Sequence, residues 1–533
     1  MTKTRFTLLL AAAALMGLFL ATSVRAEPPG GEGEGGEKTP FVRTVAPGAK
    51  HNWSIECTAT SGGLNTKLDC DDPFPNNEPN IVVDPANPQH MIASSNDYGS
   101  CCDQYYTSFD AGATWSTGNM STEEDHRTGS DPVTSIDVKH HVALHASLNY
   151  RFNSTGETCD GDVVVSPSYD GGLTWDKPVI VGPGRGCDLD PFQNFGDKEW
   201  ITTDNNPSSR FYGRSYVTWT SFIADHGEFV ESPILESYSD DGGKHWTKPQ
   251  EISGSSSTLC TFQTKGAAGE CDEDQASVPT VGADGTVYVA FMNSQNQALW
   301  EPGEQFEDQY LVVSSSDGGV HWSHPSFVVG MEDGSRDYPI NVDGRQTLTG
   351  YQVRVWGAGN IVADPTQNGH LYLVFSDNRN GVHDSANPVT NSDVFVVSST
   401  NFGQTWTAPT PVDTGGGDQW FPWADVNPVN GQLGVLYHDR GGSNGPTYTT
   451  ALAEGQPGSF VKTTISTQPS NPTMSEFFQA GDPACEFCAT FHGDYIGLAY
   501  GSDGHANATW TDMRDPSPFT PGLFLQFIYY ARK

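Results

Sequence analysis

Charged side chains gather at a few places in this 533-residue chain where they could carry acid–base or anion-binding chemistry. Arginine closely follows aspartate in Ser376-Asp377-Asn378-Arg379, His438-Asp439-Arg440 and Thr511-Asp512-Met513-Arg514. Further carboxylates stand in Asn77-Glu78, Asn96-Asp97-Tyr98, Ser130-Asp131, Asp197-Lys198-Glu199 and His492-Gly493-Asp494-Tyr495. A planar guanidinium matches a carboxylate with two charge-assisted hydrogen bonds, so Arg379, Arg440 and Arg514 suit an anionic ligand. Carboxyl groups whose surroundings shift their pKa can act as general acid or base. The alternative is structural: neighbouring Asp and Arg can pair with each other and merely tie elements together.

These groups form one site only if the fold converges them, and the elements that could do so are repetitive. Five copies of Ser-x-Asp-x-Gly-x-x-Trp recur, at Ser108–Trp115, Ser168–Trp175, Ser239–Trp246, Ser315–Trp322 and, with Asn401 replacing Asp, Ser399–Trp406. The pattern fits a tight β-hairpin. Its Asp or Asn accepts backbone N–H groups of the turn, its Gly supplies a positive φ, and its Trp covers the hairpin. Repetition at this period predicts a repeat architecture. A second pattern precedes each copy: a short strand opened by Pro or a polar residue, a turn, then an apolar-aromatic strand. It occurs at Pro79–Asp84, Pro132–Ile136, Trp200–Asp204, Pro279–Val281, Asn360–Asp364, Pro422–Val426 and Tyr495–Ala499, each with a partner strand downstream. The last two units lack the hairpin signature but keep outer-strand candidates at Tyr448–Ala453 and Leu523–Tyr530.

The eight-residue repeat is the Asp-box, and the chain resembles the sialidase-like β-propellers over most of its length. The resemblance implies an all-β propeller of four-stranded blades, with the five boxes as outer hairpins remote from catalysis. Seven units predict seven blades, six being the number in well-studied sialidases. In a propeller, residues just before a first strand and just after a second strand share the face opposite the boxes. This rule selects Glu78, Asp97, Asp131, Asp197, Lys198, Glu199, Asp377, Arg379, Asp439, Arg440, His492, Asp494, Asp512 and Arg514.

Sialidases hold the substrate carboxylate with three arginines and use a Tyr nucleophile served by a Glu. By resemblance, Arg379, Arg440 and Arg514 would be the clamp. Tyr495 (or Tyr98) would be the nucleophile, Asp97 the acid/base, and Glu199 and Asp494 further catalytic carboxyls. Glu78, Asp131, Asp377, Asp439, Asp512 and His492 would line the substrate site. Where sialidases begin the clamp with Arg-Ile-Pro, this chain has Glu78-Pro79-Asn80-Ile81. The implied activity is an exo-glycosidase acting on terminal sugars. The alternatives are a lyase or other hydrolase on uronate-containing glycans, and a non-catalytic carbohydrate-binding propeller.

The remaining features bound these readings. Lys3 and Arg5, the apolar Leu8–Ala21 and Val24-Arg25-Ala26 read as a signal peptide over 1–26, which predicts an exported protein. A Gly/Pro/Glu-rich linker over 27–50 leads into a single domain over 51–533. No later apolar run is long enough to span a bilayer. The formal net charge of −38 argues against nucleic acid as a partner and leaves a glycan or glycoconjugate. Proximity among the ten cysteines suggests the pairs Cys57–Cys70, Cys159–Cys187, Cys260–Cys271 and Cys485–Cys488, with Cys101 and Cys102 left over. Cys485-Glu486-Phe487-Cys488 reads as a loop staple rather than a metal site. No cofactor is indicated. A structural Ca²⁺ at Asp69-Cys70-Asp71-Asp72 is the one ion considered, without the spacing of a standard calcium loop.

Overall fold

The computed structural model describes residues 55–58, 65–69 and, with short interruptions, 74–476 and 491–533. The proposed signal peptide, the linker, Asp71, Asp72, Cys485 and Cys488 lie outside them. Seven antiparallel sheets follow one another along the chain, each built on four strands side by side; the first carries a fifth strand, Ile55–Thr58, and the third an additional one, Glu228–Glu231. The first two strands of the blades are Asn76–Val83 with Met91–Asp97, Thr128–Asp137 with Val142–Phe152, and Phe192–Thr203 with Ser215–Asp225. Asp274–Val281 with Val287–Asn293 and Ile361–Ala363 with Leu371–Asp377 follow. Gln419–Val426 with Leu433–Asp439 and Gly497–Tyr500 with Ala506–Pro516 complete the ring. The fold is a seven-bladed β-propeller.

Near-continuous apolar runs explain the second strands, because both of their faces are covered by the adjoining blades. Val287–Asn293, Leu371–Asp377 and Leu433–Asp439 are buried at every position. The last blade is completed from the other end of the chain: Thr66–Lys67 pairs with Phe524–Arg532 as its fourth strand. Leu68 N–H donates to the Ile528 carbonyl at 2.8 Å and the Ile528 N–H donates to Asp69, fastening the ring. Asn76 Nδ2 (2.8 Å) and the Tyr106 hydroxyl also donate to the Asp69 carboxylate, so it is engaged inside the fold.

The five repeated hairpins share one hydrogen-bond pattern. In the second copy, Gly172 N–H donates to Ser168 Oγ at 2.8 Å, Thr174 N–H donates to Asp170 Oδ1 at 2.9 Å, and the Ser168 hydroxyl donates to Asp170 at 2.9 Å. The same bonds recur at Ser108, Ser239, Ser315 and Ser399. Each turn packs on the preceding blade. The Thr107 hydroxyl of blade one donates to the Gly172 carbonyl at 2.7 Å, Arg214 of blade three reaches the Gly318 carbonyl at 2.5 Å, and the Tyr530 hydroxyl of blade seven lies 3.4 Å from the Ala111 carbonyl. These hairpins therefore staple blade to blade.

Two disulfides join the cysteines expected, Cys159 to Cys187 and Cys260 to Cys271. Cys102 is also disulfide-bonded. No helix of the described residues is long and apolar enough to cross a membrane.

Candidate functional site

The site begins with a backbone irregularity repeated around the ring. In blades one, two, three, four and six, two residues of the first strand oppose one on the second. The first residue of each bulge has a positive φ: Glu78 (+56°), Asp131 (+58°), Lys198 (+52°), Ala276 (+55°) and Phe421 (+51°). Each such non-glycine position costs on the order of 1 kcal/mol. A bulge re-aims its side chain, and these occur at the same level of successive blades, where first strands meet the propeller axis. Three of the five re-aimed residues are charged.

Glu78, Asp131 and Lys198 meet there with residues of blade seven and of an inserted hairpin. The Asp494 N–H donates to Glu78 Oε1 at 2.8 Å, and Asn96 Nδ2 donates to Glu78 Oε2 at 3.0 Å. Asn96 Oδ1 in turn accepts the Asp131 N–H at 2.8 Å, linking blades one and two. Arg354, at the end of the hairpin strand Tyr351–Arg354 between blades four and five, donates to Asp494 at 2.5 Å. The Lys198 ammonium lies 3.2 Å from the centre of the Tyr495 ring and 5.3 Å from that of Trp200. The rings of Trp200 of blade three and Trp423 of blade six meet at 4.4 Å, tilted by 36°, and Tyr495 meets Trp200 edge-on at 5.4 Å. Blades three and six are not neighbours, so the contact of their tryptophans closes the axis with an aromatic floor. An acidic ring containing one lysine and one arginine stands over it.

The electrostatics follow from five carboxyls sharing two cations in a buried space. Burial, then the neighbouring Asp131, pushes Asp197 up to about 8. Burial pushes Asp131 up to about 6, although Lys198 draws it down. Glu78 is held well above the usual carboxyl range by burial and then by Asp131 and Asp494. Glu199 is raised well above it too, by burial and then Asp131, and its two oxygens accept no hydrogen bond among the described residues. At neutral pH some of these carboxyls carry protons, which is the state a general acid needs.

The other residues selected from the sequence lie at the same end of their strands but farther from the axis, in pairs. Arg379 binds Asp377 (2.8 and 2.5 Å) and the Gly330 carbonyl (3.0 Å). Arg514 binds Asp512 (2.9 and 2.5 Å) and Thr467 (2.8 Å). Arg440 is buried, with Asp418 at 2.7 Å, the Asn444 and Gly445 carbonyls at 2.7 and 3.1 Å, and the Tyr351 ring under its guanidinium. Asp439 binds Lys462 at 2.5 Å, and Asp97 accepts from Asn119 at 2.6 Å. Each of these arginines is occupied in or beside its own blade. His492 is buried among aromatic rings, accepting Trp420 Nε1–H at 3.2 Å, and burial pushes its pKa down to about 3. The structure thus unites Glu78, Asp131, Glu199, Asp494 and Tyr495. With them stand Asp197 and Lys198, which the strand-end rule also selects, and Arg354, which it does not. Lys198 and Asp197 were legible as neighbours of Glu199, but nothing in Tyr351-Gln352-Val353-Arg354 marks a site residue.

No protein-family model matches the chain, and no curated protein matches it in sequence. Solved structures resemble it in shape. A microbial sialidase described as Hadza Hz136 has 13% identity and a TM-score of 0.41, covering 83% of this chain and 75% of its own. A mutant NanB sialidase from Streptococcus pneumoniae has 8% identity and a TM-score of 0.42, covering 83% of each chain. An ulvan lyase of a polysaccharide lyase family has 11% identity and a TM-score of 0.40, covering 73% of this chain and 80% of its own. Likenesses of this degree concern overall shape and say nothing about reaction or substrate. The propeller itself is established by the seven sheets.

Proposed function

We propose that the protein is an exported glycan-active enzyme, a hydrolase of terminal sugars bearing a carboxylate, with its site on the propeller axis. What supports the reading is the union of carboxyls raised to about 6 and about 8, at Asp131 and Asp197, with the cations Lys198 and Arg354 above an aromatic floor. A protonated Asp197 would give its proton to the leaving glycosidic oxygen. Arg354 and Lys198 would neutralise the sugar carboxylate, and Tyr495 would attack the anomeric carbon with Glu199 drawing off its proton. Tryptophan surfaces suit the apolar faces of sugar rings. The disulfides and the basic-then-apolar N-terminus support export.

A second reading has its own observation. Arg354 Nη1 is buried without a hydrogen-bond partner among the described residues, so this cation has capacity for a ligand carboxylate. In a uronate lyase it would neutralise that carboxylate while a base removes the neighbouring proton. The C–O bond to the leaving sugar breaks as a C=C bond forms, and the proton passes to the leaving oxygen. A panel of fluorogenic glycosides, sialosides and uronate polymers separates the readings. Hydrolysis frees a reducing end without an unsaturated product, whereas elimination generates ultraviolet absorbance. Asp197→Asn and Lys198→Met should each cost about 10²–10⁴ in kcat/KM. Glycan binding with no turnover of any substrate would refute both and leave a binding propeller.

A further inference from the structure

Three buried side-chain amides, Gln526, Asn77 and Asn96, form a chain across the junctions of blades seven, one and two, at the level of the bulges. Backbone groups fix its direction at both ends. The Phe491 carbonyl can only accept, so the nitrogen of Gln526 is the end that faces it. Gln526 Oε1 then accepts from Asn77 Nδ2 at 3.3 Å, and Asn77 Oδ1 accepts from Asn96 Nδ2 at 3.2 Å. Asn96 Oδ1 is left for the Asp131 N–H, which can only donate, at 2.8 Å. Asn96 Nδ2 has a second hydrogen, and it goes to Glu78 Oε2 at 3.0 Å.

Asn96 therefore engages two bulges at once, through the carboxyl of Glu78 in blade one and the backbone of Asp131 in blade two. The fold does not require this. The residue opposite the position just before the bulge is Asn96 in blade one, but Leu148, Thr220, Met292 and His438 in blades two, three, four and six. Bonding of blade to blade is also made elsewhere, without a carboxyl. Asn80 Oδ1 accepts the Thr134 N–H at 3.2 Å, and the Asn360 side chain bonds both backbone groups of Ala424 at 2.8 and 2.9 Å. What distinguishes Asn96 is the pair it holds. After burial itself, Asp131 is the neighbour that weighs most on Glu78, Asp197 and Glu199.

We infer that Asn96 is the positioning residue of the axial site: with a donor for Glu78 and an acceptor for the Asp131 bulge, it keeps the Asp131 carboxyl where it acts on Glu78, Asp197 and Glu199. This role rests on the acid–base chemistry proposed for the axis. Asp131, at about 6, is charged when Asp197 gives up its proton near 8, so an Asp131 displaced from its place lets Asp197 ionise at lower pH. Lys198 and Asp494 face Asp197 as well, Asp103 faces Asp131, and Lys198 and Arg354 draw Glu78 down. None of these residues is altered in the variants that test Asn96.

Infrared difference spectra of the purified protein between about pH 5 and 10 follow the C=O band of protonated carboxyls and need no substrate. The native chain should lose one component of that band near pH 8. Asp131→Asn and Asn96→Leu should each move its midpoint down by about one pH unit. Asn96→Met, the residue blade four carries at this position, repeats the test should leucine not be tolerated. Asn80→Leu, which cuts the Thr134 bond of the same blade junction, should lower Tm and leave the midpoint unchanged. On any substrate turned over in the glycan panel, the alkaline limb of kcat/KM should move with the infrared midpoint in Asn96→Leu. The inference is overturned if the native chain loses no component near pH 8, if the Asn96 variant keeps the native midpoint, or if Asn80→Leu shifts it equally. A native chain that turns over nothing refutes the catalytic reading, while the infrared comparison still decides the role of Asn96.

Discussion

Replacing Gly172 by alanine should destabilise the protein through a contact between blades rather than through the turn alone. Gly172 has φ +88°, and a Cβ there would stand 2.7 Å from Ile92 Cδ1 and 2.9 Å from Thr107 Oγ1, both in blade one. The left-handed conformation costs a non-glycine residue about 1–2 kcal/mol. Overpacking adds about 1–3 kcal/mol, and displacing the Thr107 hydroxyl from the Gly172 carbonyl about 1 kcal/mol more. The sum is about 3–6 kcal/mol. Gly458 provides the control: it occupies the outer turn of blade six, which lacks the repeat signature, at φ +85°, with nothing within 4 Å of its added Cβ. Gly458→Ala should therefore cost only the conformational part, about 1–2 kcal/mol. In a domain of this size 1 kcal/mol moves Tm by roughly 1 °C, so calorimetry should show a drop of about 3–6 °C for Gly172→Ala and about 1–2 °C for Gly458→Ala. Equal drops for the two variants would refute the stapling role.

Other outcomes follow from buried charge and from ring closure. Asp418→Ala should cost about 3–5 kcal/mol in denaturant unfolding, because it strands the buried Arg440 guanidinium; a loss below about 1 kcal/mol would show the pair to be exposed. Deleting the chain through residue 67 should sharply lower Tm, since blade seven loses its fourth strand; an unchanged melt would show that the ring needs no such closure. His492, with its pKa pushed down to about 3, stays neutral in the folded state while the unfolded chain protonates near 6.5. Its contribution to stability is therefore lost as pH falls from about 6.5 towards 3, at about 1.4 kcal/mol per pH unit. Imidazole NMR should show no His492 titration between about pH 7 and 4.5, and a midpoint above 5 would contradict its burial. Asp317 is pulled down to about 2, chiefly by its hydrogen bond from His321, so its support for the fourth hairpin should survive to lower pH than in His321→Ala. Identical acid-unfolding curves for the two proteins would refute that coupling.

The propeller was legible in the sequence because its signals are local. Ser108, Asp110, Gly112 and Trp115 satisfy one another within eight residues, and apolar runs mark Val287–Asn293 or Leu433–Asp439 without reference to any other blade. Even the outer strands of the two blades lacking the repeat, at Thr449–Gly455 and Phe524–Arg532, fell where hydrophobic runs indicated. The strand-end rule likewise placed the charged residues at one end of their blades. Distance from the axis was beyond it. Glu78, Asp131 and Lys198 turn inward because a bulge gives each a positive φ, and no residue type announces that conformation at Glu or Lys. Asp377, Asp512 and their arginines stay in their blades because the nearest acceptor is two residues away. Arg354 reaches Asp494 across 140 positions of chain, and Thr66–Lys67 closes a sheet begun more than 400 residues later. Local patterning fixes each blade because its bonds lie within one segment. The site and the closure depend on contacts between segments, which only the completed ring brings together.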